Sequence, residues 1–161
     1  MKIAITGHTR GLGKAIYDHF KDEHEVIGLS RSNGFDIRKP HDIIDIAEGC
    51  DLFVNNAHAG LAQAVLLAAL RDKVPIITSG SMGADYPLGS VYGLHKSQIE
   101  KTFRTVIKHS SNPMLLLKMG YLENFPEQNF TPFSDVLGAI DFWLKHPRVH
   151  VIQFDDGEWH K

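Results

Sequence analysis

The feature that most constrains this chain is Thr6-Gly7-His8-Thr9-Arg10-Gly11-Leu12-Gly13. It stands directly between a short apolar run, Lys2–Thr6, and an amphipathic stretch, Gly11–Lys21. A glycine at position 7 can make a tight strand-to-helix turn. Gly11 lets backbone approach a bulky anion, and Gly13 allows the helix to pack closely on the strand. The amide hydrogens and dipole at the start of the helix then favour negative charge. Glycines alone would signify only a turn; with strand and helix on either side, they point to a dinucleotide pyrophosphate.

The rest of the chain keeps this alternation. Short apolar runs occur at Glu25–Ser30, Asp51–Asn55, Val74–Ser79, Pro113–Met119 and Val149–Phe154, with a stub at Phe35–Ile37. Between them, helical patterning covers His41–Glu48, Leu61–Arg71, Val91–Lys108 and Phe133–Lys145, the last stopped by Pro147. Val/Ile/Leu-rich strands joined by helices predict a parallel sheet buried on both faces. The expected fold class is a doubly wound α/β Rossmann fold: six to seven strands, helices on both faces, one domain over 1–161. A hydrophobic share of 43% against 22% charged is enough for such a core.

The charge balance narrows the partners. A formal net charge of −2 gives no footprint for nucleic acid or an anionic membrane, and the lysines and arginines of Lys101–Lys108 read as a solvated helix face. The single cysteine, Cys50, cannot pair within the chain and suits a reducing compartment. No segment is apolar enough for a signal peptide or a membrane span, so the expectation is a cytoplasmic protein. His146 and His150 are separated by Pro147, and no metal-binding motif is present, so no metal is expected. His58 and His95 fall near the expected cleft without an assigned role.

Five motifs in order resemble the short-chain dehydrogenase/reductase family. The Thr-Gly-x-x-x-Gly-x-Gly loop comes first, and Asp36-Ile37 is similar to the pair that borders the adenine. Asn55-Asn56-Ala57 resembles the family's Asn-Asn-Ala-Gly, with His58 in place of the glycine. Tyr92-Gly-Leu-His-Lys96 matches the active-site Tyr-x-x-x-Lys. Gly120 and Leu122 resemble the turn that holds the nicotinamide amide, with Met119 replacing proline. The resemblance implies cofactor contacts from Gly7, Thr9, Arg10, Gly11, Leu12, Gly13, Asp36, Ile37, Asn56, Ala57, Tyr92, Lys96, Gly120 and Leu122.

The expected cofactor is NADP(H). NAD enzymes place a carboxylate after the second strand, on the ribose 2′-hydroxyl. Here that place holds Ser30-Arg31-Ser32, and no carboxylate follows before Asp36. Arg31, beside Ser32, can grip a 2′-phosphate with two charge-assisted hydrogen bonds, and Arg10 resembles a second basic position of NADP-preferring relatives.

The expected reaction interconverts a carbonyl and an alcohol on a small substrate. Tyr92 and Lys96 stand four apart on a predicted helix and share a face. An ammonium nearby would lower the tyrosine's pKa and make Tyr92 a usable proton donor and acceptor. Ser79, thirteen residues before Tyr92 at the family's usual interval, is the expected holder of the carbonyl oxygen, with Ser81 the alternative. Two departures stand out. The chain is much shorter than common family members, and the stretch from Gly60 to Ser79 lacks the asparagine that the family uses in its proton relay. A non-catalytic NADP(H) sensor is therefore the second reading and a sugar-nucleotide epimerase or dehydratase the third. The resemblance also implies a homodimer or homotetramer, built on the helix carrying Ile99, Phe103, Val106 and Ile107.

Overall fold

The computed structural model describes residues 1–122 and 130–154. Six parallel strands form one sheet: β1 Lys2–Thr6, β2 Glu25–Leu29, β3 Leu52–Asn55, β4 Ile76–Ser79, β5 Met114–Lys118 and β6 Val151–Gln153. Five α-helices connect them: α1 Gly11–Phe20, α2 His41–Glu48, α3 Ala62–Leu70, α4 Val91–Val106 and α5 Phe133–Lys145. The strand order is β2-β1-β3-β4-β5-β6. Ile5 lies beside Gly28 on one side and Val54 on the other, so the order reverses at β1. Connections leave that point in opposite directions and open a crevice beyond the carboxyl ends of β1 and β3.

Alternation along each strand divides the core into two layers. Ala4, Phe53, Ile76 and Leu116 point to one face, where they meet Ile43 of α2, Leu66, Leu67 and Leu70 of α3, and Phe103 of α4. Ile3, Ile5, Val54, Ile77 and Leu115 point to the other, under Ile16 and Phe20 of α1 and Val136, Ile140 and Trp143 of α5. The Trp143 indole also donates to the Val149 carbonyl at 2.9 Å, fixing α5 to the approach to β6. Both faces of the parallel sheet are thus covered, as the apolar strands require.

Two expectations are corrected. Phe35–Ile37 is not a strand, so the sheet has six strands. The Asp36 carboxylate accepts from the Arg38 amide at 3.0 Å and the Asp36 carbonyl from the Lys39 amide at 2.8 Å, which curls this segment into a turn. The second correction concerns α4. Ile99, Phe103 and Val106, expected to seal a subunit interface, are buried within the chain's own core, and Ile107 packs partly against it. No helix of the described residues is long and apolar enough to cross a membrane.

Candidate functional site

The crevice is a cleft of about 620 Å³. Its floor is tied together by Thr6, fully buried at the end of β1. The Thr6 hydroxyl donates to the Val54 carbonyl and accepts from the amides of Asn56 and Ala57 at 2.9 and 3.0 Å. Gly7 turns the chain with φ +73°, and its amide donates to the Leu29 carbonyl at 2.8 Å. A Cβ on Gly13 would stand 2.2 Å from the Gly7 carbonyl oxygen and 2.6 Å from the Asn56 side-chain Nδ2, so only glycine lets α1 sit this close. Arg10 precedes α1 in extended conformation and no side chain caps the helix. The first-turn amides are therefore available to a phosphate, and the loop fits a dinucleotide pyrophosphate.

Gly7, Thr9, Arg10, Arg31, Ser32, Asp36, Ile37, Asn56 and Ala57 all line this cleft, whereas Gly11, Leu12 and Gly13 lie in or under its loop. At the far wall, β2 ends in a 3-10 turn, Arg31–Asn33, which pushes Arg31 into the open. Asn33 holds that turn, its carboxamide accepting from the Ser30 amide at 2.8 Å and donating to the Gly28 carbonyl at 2.7 Å. The Asp36 carboxylate is closed on Arg38, whose Nε lies 3.0 Å from both oxygens. Hydrogen bonds from the Arg38 side chain and backbone keep the Asp36 carboxyl far below the ordinary carboxylate range. Among the described residues, Arg10 and Arg31 make no ion pair.

The catalytic residues expected from the sequence come together at the ends of β4 and β5, beside this cleft. Ser90 caps α4, accepting from the Gly93 amide at 2.9 Å, and so aims Tyr92 and Lys96 at the end of β4. The Lys96 ammonium is 2% exposed and donates to the Ser79 carbonyl and the Gln63 amide oxygen, both at 2.9 Å. It lies 5.7 Å from the centre of the Tyr92 ring. The two serines face different ways. The Ser79 hydroxyl is turned inward, donating to the Asn56 carbonyl at 3.1 Å and accepting from Gln63 at 3.0 Å. The Ser81 hydroxyl accepts from the Gly83 amide at 3.1 Å and acts on the Tyr92 phenol, drawing its pKa down. Gly120 reaches the same end, close to Met82, while Leu122 packs into the core near α5.

The electrostatics differ from the sequence expectation in one respect. Burial raises the Tyr92 pKa, and the hydrogen bond with Ser81 opposes that rise. Lys96 does not bring it down, because its ammonium is turned to Gln63 and Ser79. Burial lowers Lys96 to about 8, opposed by the carboxylate of Glu100. His58 lines the cleft and its ring meets the Tyr92 ring edge-on at 5.0 Å, with the His95 ring tilted at 5.6 Å. Burial, then Lys96 and His95, lower His58 to about 4, so it is neutral at pH 7. Among the described residues no acid, histidine or cysteine cluster is placed to hold a metal ion.

Sequence reasoning missed three participants. Gln63 is the only polar residue in Leu61–Leu70, and that isolation was the available signal. Gly28 leaves room for the His8 ring: a Cβ there would come within 2.3 Å of it. Lys118 ends an otherwise apolar strand and bonds Asp85 at 2.5 Å and Glu100 at 3.4 Å, fastening the 3-10 turn Met82–Asp85 to α4 and β5.

No model of a known protein family matches the chain, and neither does any curated protein. Solved structures do. The protein lin1944 from Listeria innocua superimposes with a TM-score of 0.75 at 16% identity, covering 96% of this chain and 100% of that one. The NADH-dependent reductase A1-R′, in complex with NAD, gives 0.72 at 14% identity, covering 97% and 95%. A short-chain dehydrogenase/reductase from Veillonella parvula gives 0.65 at 13% identity, covering 99% and 96%. The fold shared with these structures is a Rossmann-type α/β fold built on a parallel sheet. At these identities the likeness extends to the fold alone.

Proposed function

We propose that this protein is an NADP(H)-dependent oxidoreductase interconverting a carbonyl and an alcohol on a small substrate. The observation that carries the reading is the meeting of Ser81, Tyr92 and Lys96 at the lip of the glycine-loop cleft, with His58 touching both cleft and tyrosine. Structural neighbours that are reductases and dehydrogenases support the general class. NADP(H) is favoured over NAD(H) because Arg10 and Arg31 line the cleft without ion pairs, β2 ends without a carboxylate, and Asp36 is closed on Arg38.

In this reading the α1 amides and Gly7 seat the pyrophosphate, and Arg31 takes the 2′-phosphate. When bound, the dinucleotide supplies the hydride, at C4 of its nicotinamide ring. Ser81 holds the substrate oxygen by a hydrogen bond. Tyr92, kept protonated by its raised pKa, donates the phenolic proton to that oxygen as the alcohol forms. Lys96 would offer its remaining N–H to the cofactor ribose. The test is NADPH consumption over a panel of aldehydes, ketones and quinones, with Tyr92→Phe as the blank. Substrate-dependent consumption by the wild type alone is the expected result. If no substrate raises consumption above the blank, the assignment of an enzyme fails.

A further inference from the structure

We propose that Gln63 is the positioning residue that fixes Lys96 in the site, doing with one buried side chain what the absent helix asparagine would do through water. The inference rests on the oxidoreductase reading only for what Lys96 is used for. Gln63 is the second residue of α3 and fully buried. Its Nε2 lies 2.6 Å from the Asn55 carbonyl, 3.0 Å from the Ser79 carbonyl and 3.0 Å from the Ser79 hydroxyl. Its Oε1 accepts from the Lys96 ammonium at 2.9 Å. These surroundings admit one orientation of the amide. Turned over, it would set its NH₂ against an ammonium and its oxygen against two carbonyls. The Asn55 side chain locks the backbone as well, donating to the Gln63 carbonyl at 2.8 Å.

The consequence falls on Lys96. A lysine has three N–H donors and no acceptor. Two are committed here, to Gln63 and to the Ser79 carbonyl, so the third has a fixed direction. The ammonium is buried and its salt-bridge partners are absent among the described residues. The facing titratable groups are Tyr92 and Glu100 on α4 and His58 across the cleft, and Glu100 is itself engaged by Lys118. Oxygen from Gln63 and Ser79 therefore replaces water around the charge. Remove the Gln63 oxygen, and burial acts on Lys96 with half that support. Gln63 thus sets both where the ammonium points and over what pH range it stays charged.

The experiment follows the Lys96 ammonium by side-chain ¹⁵N NMR through a pH titration, assigned with Lys96→Met. Gln63→Met fills the same space without hydrogen bonds, and Gln63→Glu puts a carboxylate against the ammonium. The midpoint should fall by about one pH unit in Gln63→Met, tenfold in proton dissociation, and rise in Gln63→Glu. The pH at which NADPH affinity is lost should move the same way. Should Gln63→Met fail to fold, the rise in Gln63→Glu carries the test. Midpoints equal to the wild type, or collapse of both variants, would make Gln63 a purely structural strut and overturn the proposal. The two readings separate cleanly: a wild type that binds no NADPH defeats the oxidoreductase assignment, while the NMR midpoints still decide the role of Gln63.

Discussion

The carboxyl edge of the sheet has two halves built on opposite principles. Beyond β1–β3, the wall of the cleft is backbone amides, glycines and arginines that reach into water. The charged pair there, Asp36 and Arg38, has side chains 22% and 63% exposed. Beyond β4–β5, the two lysine ammonium groups are withdrawn from water and held by protein oxygen. Lys96, Gln63 and Ser79 form one set; Lys118 and Glu100, 8% and 10% exposed, form the second with Asp85. The first half can accept a large anion with little rearrangement. The second holds a few atoms in fixed directions, and low local dielectric makes each of its bonds costly to break. In the proposed reading, binding and chemistry fall at different ends of one edge.

The largest expected effects break the catalytic half. Tyr92→Phe should lower turnover by about 10²–10⁴-fold, the usual contribution of a positioned acid, with NADPH affinity nearly unchanged. Ser81→Ala should follow at about 10²-fold, as for a lost oxygen-holding donor, and Ser79→Ala should act less on turnover than on Lys96. Rates of NADPH oxidation decide the order; a large loss in Ser79→Ala with Ser81→Ala intact would return the role to Ser79. Next comes the ion cluster. Lys118→Met strips the buried Glu100 of its ion-pair partner and should cost about 3 kcal/mol in urea unfolding, with much of it recovered in Lys118→Met/Glu100→Gln. By contrast, Asp18→Asn, which cuts the exposed Lys14 and Lys21 pairs on α1, should leave the midpoint almost unmoved. Equal sensitivity of the two would erase the distinction between the halves.

The same contrast explains what the sequence disclosed. Glycine spacing dictates backbone directly and apolar periodicity marks the helices, so the loop from Gly7 to Gly13, the doubly wound fold and the five helices are legible within a residue or two at their ends. The Phe35–Ile37 stub was misread because a side-chain-closed turn and a short strand share the same apolar pattern, and only the Asp36 contacts tell them apart. In the catalytic half, spacing pointed to Ser79, Tyr92 and Lys96 but could not say which hydroxyl faces the tyrosine. That is settled by the path of the chain through Gly80 and the 3-10 turn after Ser81. Gln63 stands out in the sequence only as a lone amide in an apolar helix, and it acquires a role only from Lys96, thirty-three residues away. The family resemblance implies a substrate lid at Tyr121–Thr131, of which residues 123–129 lie outside the described residues.

The smallest expected effect tests the water-facing half, and it rests on Arg31. Its guanidinium lines the cleft at the first position of the turn after β2, where a carboxylate would have selected NAD. A charge-assisted contact with the 2′-phosphate contributes about 1.5–3 kcal/mol, so NADPH should bind roughly ten- to a hundredfold more tightly than NADH. Because the arginine is exposed, salt should narrow that gap, whereas it should barely touch the buried cluster around Lys118. Arg31→Ala should weaken NADPH far more than NADH, and Arg31→Asp should reverse the preference by repelling the phosphate. Arg10, within the glycine loop, can share the contact; a partial loss in Arg31→Ala that deepens in the double variant would locate that share. Fluorescence titrations of both cofactors at low and high salt measure all of this. Equal wild-type affinity for NADPH and NADH would remove the NADP assignment and leave the pyrophosphate seat at Gly7–Gly13 untouched, since that seat is backbone and indifferent to the 2′ position.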